Sequence, residues 1–107
     1  MSYSVLTIPP FDKQLKRLYK KYPSLKQEFL KLIESLEQNP EQGINVGKNC
    51  FKIRLAIASK AKGKSSGARI ITNIVLSDEV VYLLSIYDKS DKENLTDKEL
   101  KDLLSYI

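Results

Sequence analysis

The spacing of apolar positions changes along the chain, and each change marks an element. Residues 3–7 form a short β-prone run stopped by Pro9 and Pro10. Proline there suits the first turn of a helix, where a missing N–H costs nothing. From Phe11 onward Leu15, Leu18, Tyr19 and Tyr22 recur at helical spacing, while Lys13, Lys16, Arg17, Lys20 and Lys21 fill the other face. This predicts an amphipathic helix ended by Pro23. Ser24 followed by Gln27 is a capping-box pattern, and Leu25, Phe29, Leu32, Ile33 and Leu36 mark the stripe of a second helix that Asn39-Pro40 stops. Two helices so closely joined form a hairpin that covers one face of a sheet.

Residues 40–49, with two glycines and no sustained period, read as a surface loop. Residues 51–58 alternate strictly, Phe51, Ile53, Leu55 and Ile57 against Lys52, Arg54, Ala56 and Ala58, which is the pattern of a strand buried on one face. Residues 59–67 are polar, basic and glycine-containing, so a mobile loop is expected. Residues 68–76 and 80–87 are rich in β-branched and aromatic side chains, with turn residues Ser77, Asp78 and Glu79 between them. The three strands should form an antiparallel meander, with Arg69 starting its strand near the point where Arg54 leaves the preceding one. After a charged stretch, Thr96 and Glu99 repeat the capping-box pattern ahead of Leu100, Leu103, Leu104 and Ile107. The expected fold is a single α+β domain over residues 1–107: an antiparallel sheet, made of the N-terminal strand plus a three-stranded meander, with a helical hairpin on one face and a C-terminal helix.

Composition narrows the function. With 107 residues and 42% hydrophobic content, the chain can fill one core. Its apolar runs are far shorter than the roughly 20 residues that cross a bilayer, and the first residues lack the charged-then-apolar pattern of a secretory signal, so a soluble cytoplasmic protein is expected. There is no histidine and a single cysteine, which excludes a zinc site of the Cys/His type and an internal disulfide; no metal or cofactor is expected. Cys50 has no histidine to activate it and reads as a small buried residue at a strand entrance.

The net charge of +5 is unevenly spread. Residues 42–77 hold Lys48, Lys52, Arg54, Lys60, Lys62, Lys64 and Arg69 without a single Asp or Glu, whereas residues 78–107 are net acidic. A one-sign stretch of that size is a footprint for a polyanion. Helices on one side of the sheet would leave the other for function, which is where alternation sends Lys52 and Arg54. Arg69 and Lys89 would join them near the strand ends, and planar guanidinium forks with compact ammonium charges suit phosphate.

Several strings then fall into a known order. Cys50-Phe51-Lys52-Ile53-Arg54-Leu55 resembles the strand of RelE-family toxins that carries alternating basic residues, Phe11-Asp12-Lys13-Gln14-Leu15-Lys16 is similar to the beginning of that family's first helix, and Gly67-Ala68-Arg69-Ile70-Ile71 is similar to its next strand with an active-site arginine. The longer basic loop of residues 58–69, and residues 82–89 followed by Lys92 and Asn94-Leu95-Thr96, resemble the HigB branch of the RelE/ParE superfamily. The resemblance covers nearly the whole chain. It implies the toxin of a type II toxin–antitoxin system, a metal-independent endoribonuclease that inhibits translation by cleaving messenger RNA, usually on the ribosome. It also implies a cognate antitoxin, HigA-like with a helix-turn-helix or RelB-like, through which alone the complex would bind DNA.

Cleavage of this kind uses the ribose 2′-OH as nucleophile, expels the 5′-oxygen and leaves a 2′,3′-cyclic phosphate. It needs a proton acceptor, stabilisation of charge on the phosphorane and a donor for the leaving oxygen. The expected catalytic set is Lys52, Arg54, Arg69, Lys89 and Tyr87. Lys52 or Lys89 would serve as base, since neighbouring cations favour a neutral amine, and the two arginines would hold the developing charge. Tyr87 fits stacking on a base, proton donation or cross-strand packing equally. Lys48, Lys60, Lys62 and Lys64 are the expected RNA-binding cations. Two features depart from the family: RelE itself uses a tyrosine near the C-terminal helix that neither Tyr87 nor Tyr106 matches cleanly, and Lys89 stands where it has an arginine. The alternatives are a ParE-like inhibitor of DNA gyrase and a non-catalytic RNA-binding module.

Overall fold

The computed structural model describes residues 2–60, 67–92 and 94–107, with Lys60 described by its backbone only. Strand β1 (Ser4–Thr7) runs into helix α1 (Pro9–Lys21), whose first turn carries both prolines. Helix α2 (Leu25–Gln38) follows directly. Then come β2 (Ile44–Gly47), β3 (Cys50–Leu55), β4 (Ala68–Val75), β5 (Val80–Asp88) and helix α3 (Asp97–Leu104).

Among the described residues these strands form one five-stranded sheet in the order β1-β5-β4-β3-β2. The meander β3-β4-β5 is antiparallel, as its turn residues require. Two features differ from the sequence-based expectation. First, β1 pairs with β5 in parallel, Ser4 opposite Val80 through Thr7 opposite Leu83, because two helices intervene and return the chain to the far edge. Second, part of the stretch read as a loop is β2, an edge strand antiparallel to β3. Four residues are too few to display an alternation, and all of β2 is exposed, so no periodic signal marks it. Glycine makes its start possible: Gly43 has φ +91°, and a Cβ there would collide with the Lys52 carbonyl oxygen.

Helices α1 and α2 pack on the sheet face that carries Ile53, Ile70 and Ile86. Phe11, Leu25 and Leu36 are fully buried there, and the Phe11 and Phe29 rings meet with centroids 5.7 Å apart. Burial of each such side chain contributes about 1.5–3 kcal/mol relative to exposure. Ser24 does take the N-cap position of α2 but makes no capping bond; its hydroxyl donates to Glu28 and contacts the Ser59 hydroxyl at 2.8 Å. Glu28 also accepts from the Ala58 N–H at 2.7 Å, which ties the exit of β3 to α2. The capping box at Thr96 and Glu99, by contrast, is complete. No helix among the described residues is long and apolar enough to cross a membrane.

Candidate functional site

Antiparallel register decides which cations meet. Arg54 lies directly opposite Arg69, and Arg69 directly opposite Tyr87, so one row across β3, β4 and β5 reads Arg54-Arg69-Tyr87. The next row on the same face reads Lys52-Ile71-Ser85. Cross-strand partners point to the same side of a sheet, so Lys52, Arg54, Arg69 and Tyr87 share the face opposite α1 and α2. The Arg69 guanidinium donates to the Ala68 carbonyl oxygen at 3.1 Å, at the start of β4. Lys89 follows β5 at the same end, where its N–H extends the ladder to the Gly67 carbonyl at 3.1 Å.

This face is less open than the sequence suggests. Helix α3 and the residues leading into it lie across it. The Lys52 ammonium donates to Asn94 Oδ1 at 2.7 Å, and Lys52 shares a cavity of about 80 Å³ with Val46, Ile71, Asn94 and Leu100. On the other side of α3, Tyr87 and Ser85 line a larger cavity of about 490 Å³, bounded by Arg17 and Lys21 of α1 and by Lys92, Glu99 and Leu103. The cluster is therefore layered: Arg54 is exposed and Lys52 half-buried, while Arg69 and Tyr87 are only 4% and 8% exposed. A free sheet face was expected because nothing in the local pattern of α3 says where that helix docks.

Electrostatics follow the layering. Burial raises the Tyr87 phenol above its ordinary value, with Arg69 opposing and Glu99 reinforcing the shift. Glu99 is held down at about 2, chiefly by the Lys92 ammonium with which it pairs and then by the Thr96 N–H of the capping box. The Glu99 carboxylate thus lies close enough to Tyr87 to act on it, although residues 42–77 supply no carboxylate. Behind the strand end, Asp88 is 1% exposed; it accepts from the Tyr22 hydroxyl at 2.6 Å and from the Ser90 N–H and hydroxyl, which fixes the turn after β5.

The remaining sequence-based candidates divide. Lys48 is at the opposite end of β3, in the β2–β3 turn, where Lys48 and Asn49 both have positive φ and Asn73 Nδ2 donates to their carbonyls. It is outside the arginine cluster. Lys62, Lys64 and the Lys60 side chain lie outside the described residues, as does most of the loop expected over residues 59–67. Cys50 is fully buried at the entrance of β3, as expected, and its thiol is pushed up by burial. Asn94 and Glu99 are the residues that reasoning from pattern left out of the site: the capping box places Glu99 in the first turn of α3, but only docking brings it to Tyr87.

A sequence model of the RelE family, described as the RelE toxin of the RelE/RelB toxin–antitoxin system, matches residues 11–106. The chain belongs to the RelE toxin family. Its fold is also that of solved RelE structures. A double arginine-to-alanine mutant of E. coli toxin RelE in the free state aligns with a TM-score of 0.64 at 17% identity, covering 100% of this chain and 99% of that one. A chain of the intact E. coli RelBE toxin–antitoxin complex gives a TM-score of 0.63 at 18% identity, covering 81% and 96%. One from the RelBE2 toxin–antitoxin complex of Mycobacterium tuberculosis gives 0.60 at 15% identity, covering 82% and 99%. The RelE match covers both arginine-bearing strands and α3, and it does not specify the HigB branch.

Proposed function

We propose that this RelE-family toxin is a metal-independent endoribonuclease that cleaves messenger RNA, on the ribosome and in the cytoplasm, and so inhibits translation. The Arg54-Arg69 row carries this reading: two arginines paired across β3 and β4, with Lys52 in the adjoining row, match the charge that builds on a phosphodiester as the 2′-OH attacks. The 5′-oxygen departs and a 2′,3′-cyclic phosphate remains. Arg54 and Lys52 meet the RNA backbone first, from the open side of the sheet. Arg69 and Tyr87 come into reach as α3 shifts, Arg69 to hold the phosphorane and Tyr87 to donate a proton or stack on a base. Lys89, at the same strand end, supplies a further positive charge, and either it or Lys52 accepts the 2′-OH proton.

The partner is a cognate antitoxin. Support comes from the toxin–antitoxin complexes among the similar structures and from a net charge of +5, which suits an acidic binding segment. DNA binding then belongs to the complex through the antitoxin.

The test is to incubate the protein with messenger RNA, free and on translating ribosomes, and to analyse the new ends. Fragments ending in 2′,3′-cyclic phosphate, absent with an Arg54→Ala/Arg69→Ala double variant, support the reading. Intact RNA together with loss of gyrase supercoiling would place the toxin in the ParE-like class. Salt-sensitive RNA binding without new ends would mark a non-catalytic module.

A further inference from the structure

Strand β5 carries Tyr87, yet the end of β5 that does so lacks a neighbouring strand on one side. The parallel partner β1 stops at Thr7, opposite Leu83, where Ile8 and the two prolines turn the chain into α1. From Leu84 to Asp88 no strand lies beyond β5 among the described residues. On its other side the ladder to β4 shifts register between Ile71 and Thr72, opposite Ser85 and Leu83, so that Leu84 is the extra residue of a bulge. The row Arg69-Tyr87 therefore begins just past a bulge, on a strand end with one free edge.

A side chain from α1 takes the missing strand's place. Gln14 Oε1 accepts from the Ile86 N–H at 2.9 Å and from the Ser85 hydroxyl at 3.1 Å. Both donors belong to the two residues just before Tyr87, and Gln14 lines the same cavity as Ser85, Ile86 and Tyr87. Ser85 is 1% exposed, so loss of its acceptor would strand a buried donor. We propose that Gln14 is a positioning residue that pins the unpaired edge of β5 and thereby sets Tyr87 against Arg69 for RNA cleavage. The assignment of a cleavage role rests on the ribonuclease reading above; the pin itself does not.

Only the carbonyl oxygen of Gln14 makes these two bonds, which gives a clean pair of variants. Q14E keeps an acceptor at that position, whereas Q14M keeps the volume and removes it. Amide hydrogen exchange at Ile86 reads the pin directly: it should be slow in wild type and Q14E and at least about tenfold faster in Q14M. Single-turnover cleavage reads the consequence. Q14M should lose about 10²-fold in rate, the scale expected for a group displaced by about an ångström, while RNA affinity stays within about twofold. Q14E should restore the rate to within about threefold of wild type. A slow Ile86 amide in Q14M would overturn the pin, and a fast amide with an undiminished cleavage rate would overturn its role in positioning Tyr87. A wild-type protein that cleaves nothing would overturn the ribonuclease reading and the catalytic half of this proposal, with the exchange measurement still deciding the other half.

Discussion

The two faces of one sheet have been put to opposite uses. On the face under α1 and α2, Ile53, Ile70, Leu83 and Ile86 meet fully buried Phe11, Leu25 and Leu36, and two helices of 13 and 14 residues seal the layer. On the other face the same alternation presents Lys52, Arg54, Arg69 and Tyr87, and the cover is the eight-residue α3, with Leu100 as its buried anchor. The first face supplies the stability that lets the second hold two arginines opposite one another. A thin cover over a basic row suits the proposed entry of a polyanion, since stability and access cannot both be maximal at one surface.

This contrast can be broken from either side. The largest expected effect is on the sealed face: Phe11→Ala should cost about 3–5 kcal/mol in urea unfolding, because a fully buried ring in contact with Phe29 is lost and a cavity remains. A loss below 1 kcal/mol would show that this face is not the stabilising one. On the face proposed to act on RNA, Arg69→Ala should lower RNA cleavage by about 10²–10³-fold, equivalent to about 2.7–4 kcal/mol of transition-state stabilisation, and relieve growth arrest on induction, while the variant still folds at a cost of about 1–3 kcal/mol for the buried acceptor its guanidinium leaves behind. Undiminished killing by the folded variant would remove Arg69 from the site.

The thinness of the cover is tested at its anchor. Leu100→Ala should cost about 2 kcal/mol, seen mainly as faster amide exchange within α3 rather than across β4 and β5. The smallest effect concerns Glu99. Its carboxyl is depressed to about 2 in the folded protein, below the ordinary carboxylate value, so its contribution is fully present above about pH 4.5 and is lost as the pH falls toward 2. Because Glu99 and Lys92 are both more than a third exposed, solvent screens the pair and the effect is a fraction of a kcal/mol. Acid titration of α3 amide exchange should show it in wild type and not in Glu99→Gln.

Local pattern located both helices of the hairpin, β1, the meander and the capping box of α3, because each rests on contacts between residues close in sequence or on a period visible within one segment. It also put Lys52 and Arg54 on one face, since alternation is a property of a single strand. It missed β2, which is too short and too exposed to show a period, and it misread Ser24, whose hydroxyl finds Glu28 and Ser59 rather than the helix N-terminus. The same distinction separates the candidate residues: that Arg69 lies beside Arg54 was legible from its place at the start of β4, whereas Gln14 and Asn94 acquire their partners across 72 and 42 positions of chain.

The sequence by itself determined the composition of this surface: which strand faces would be apolar, which would carry arginine and lysine, and that no imidazole would take part. Only the tertiary structure decided how those groups are layered, with Arg69 and Tyr87 beneath α3 and Gln14 standing in for an absent strand. The reason is physical: side-chain alternation is fixed by backbone geometry one residue at a time, but the register of a sheet and the docking of a helix are set by packing between segments that no local window contains.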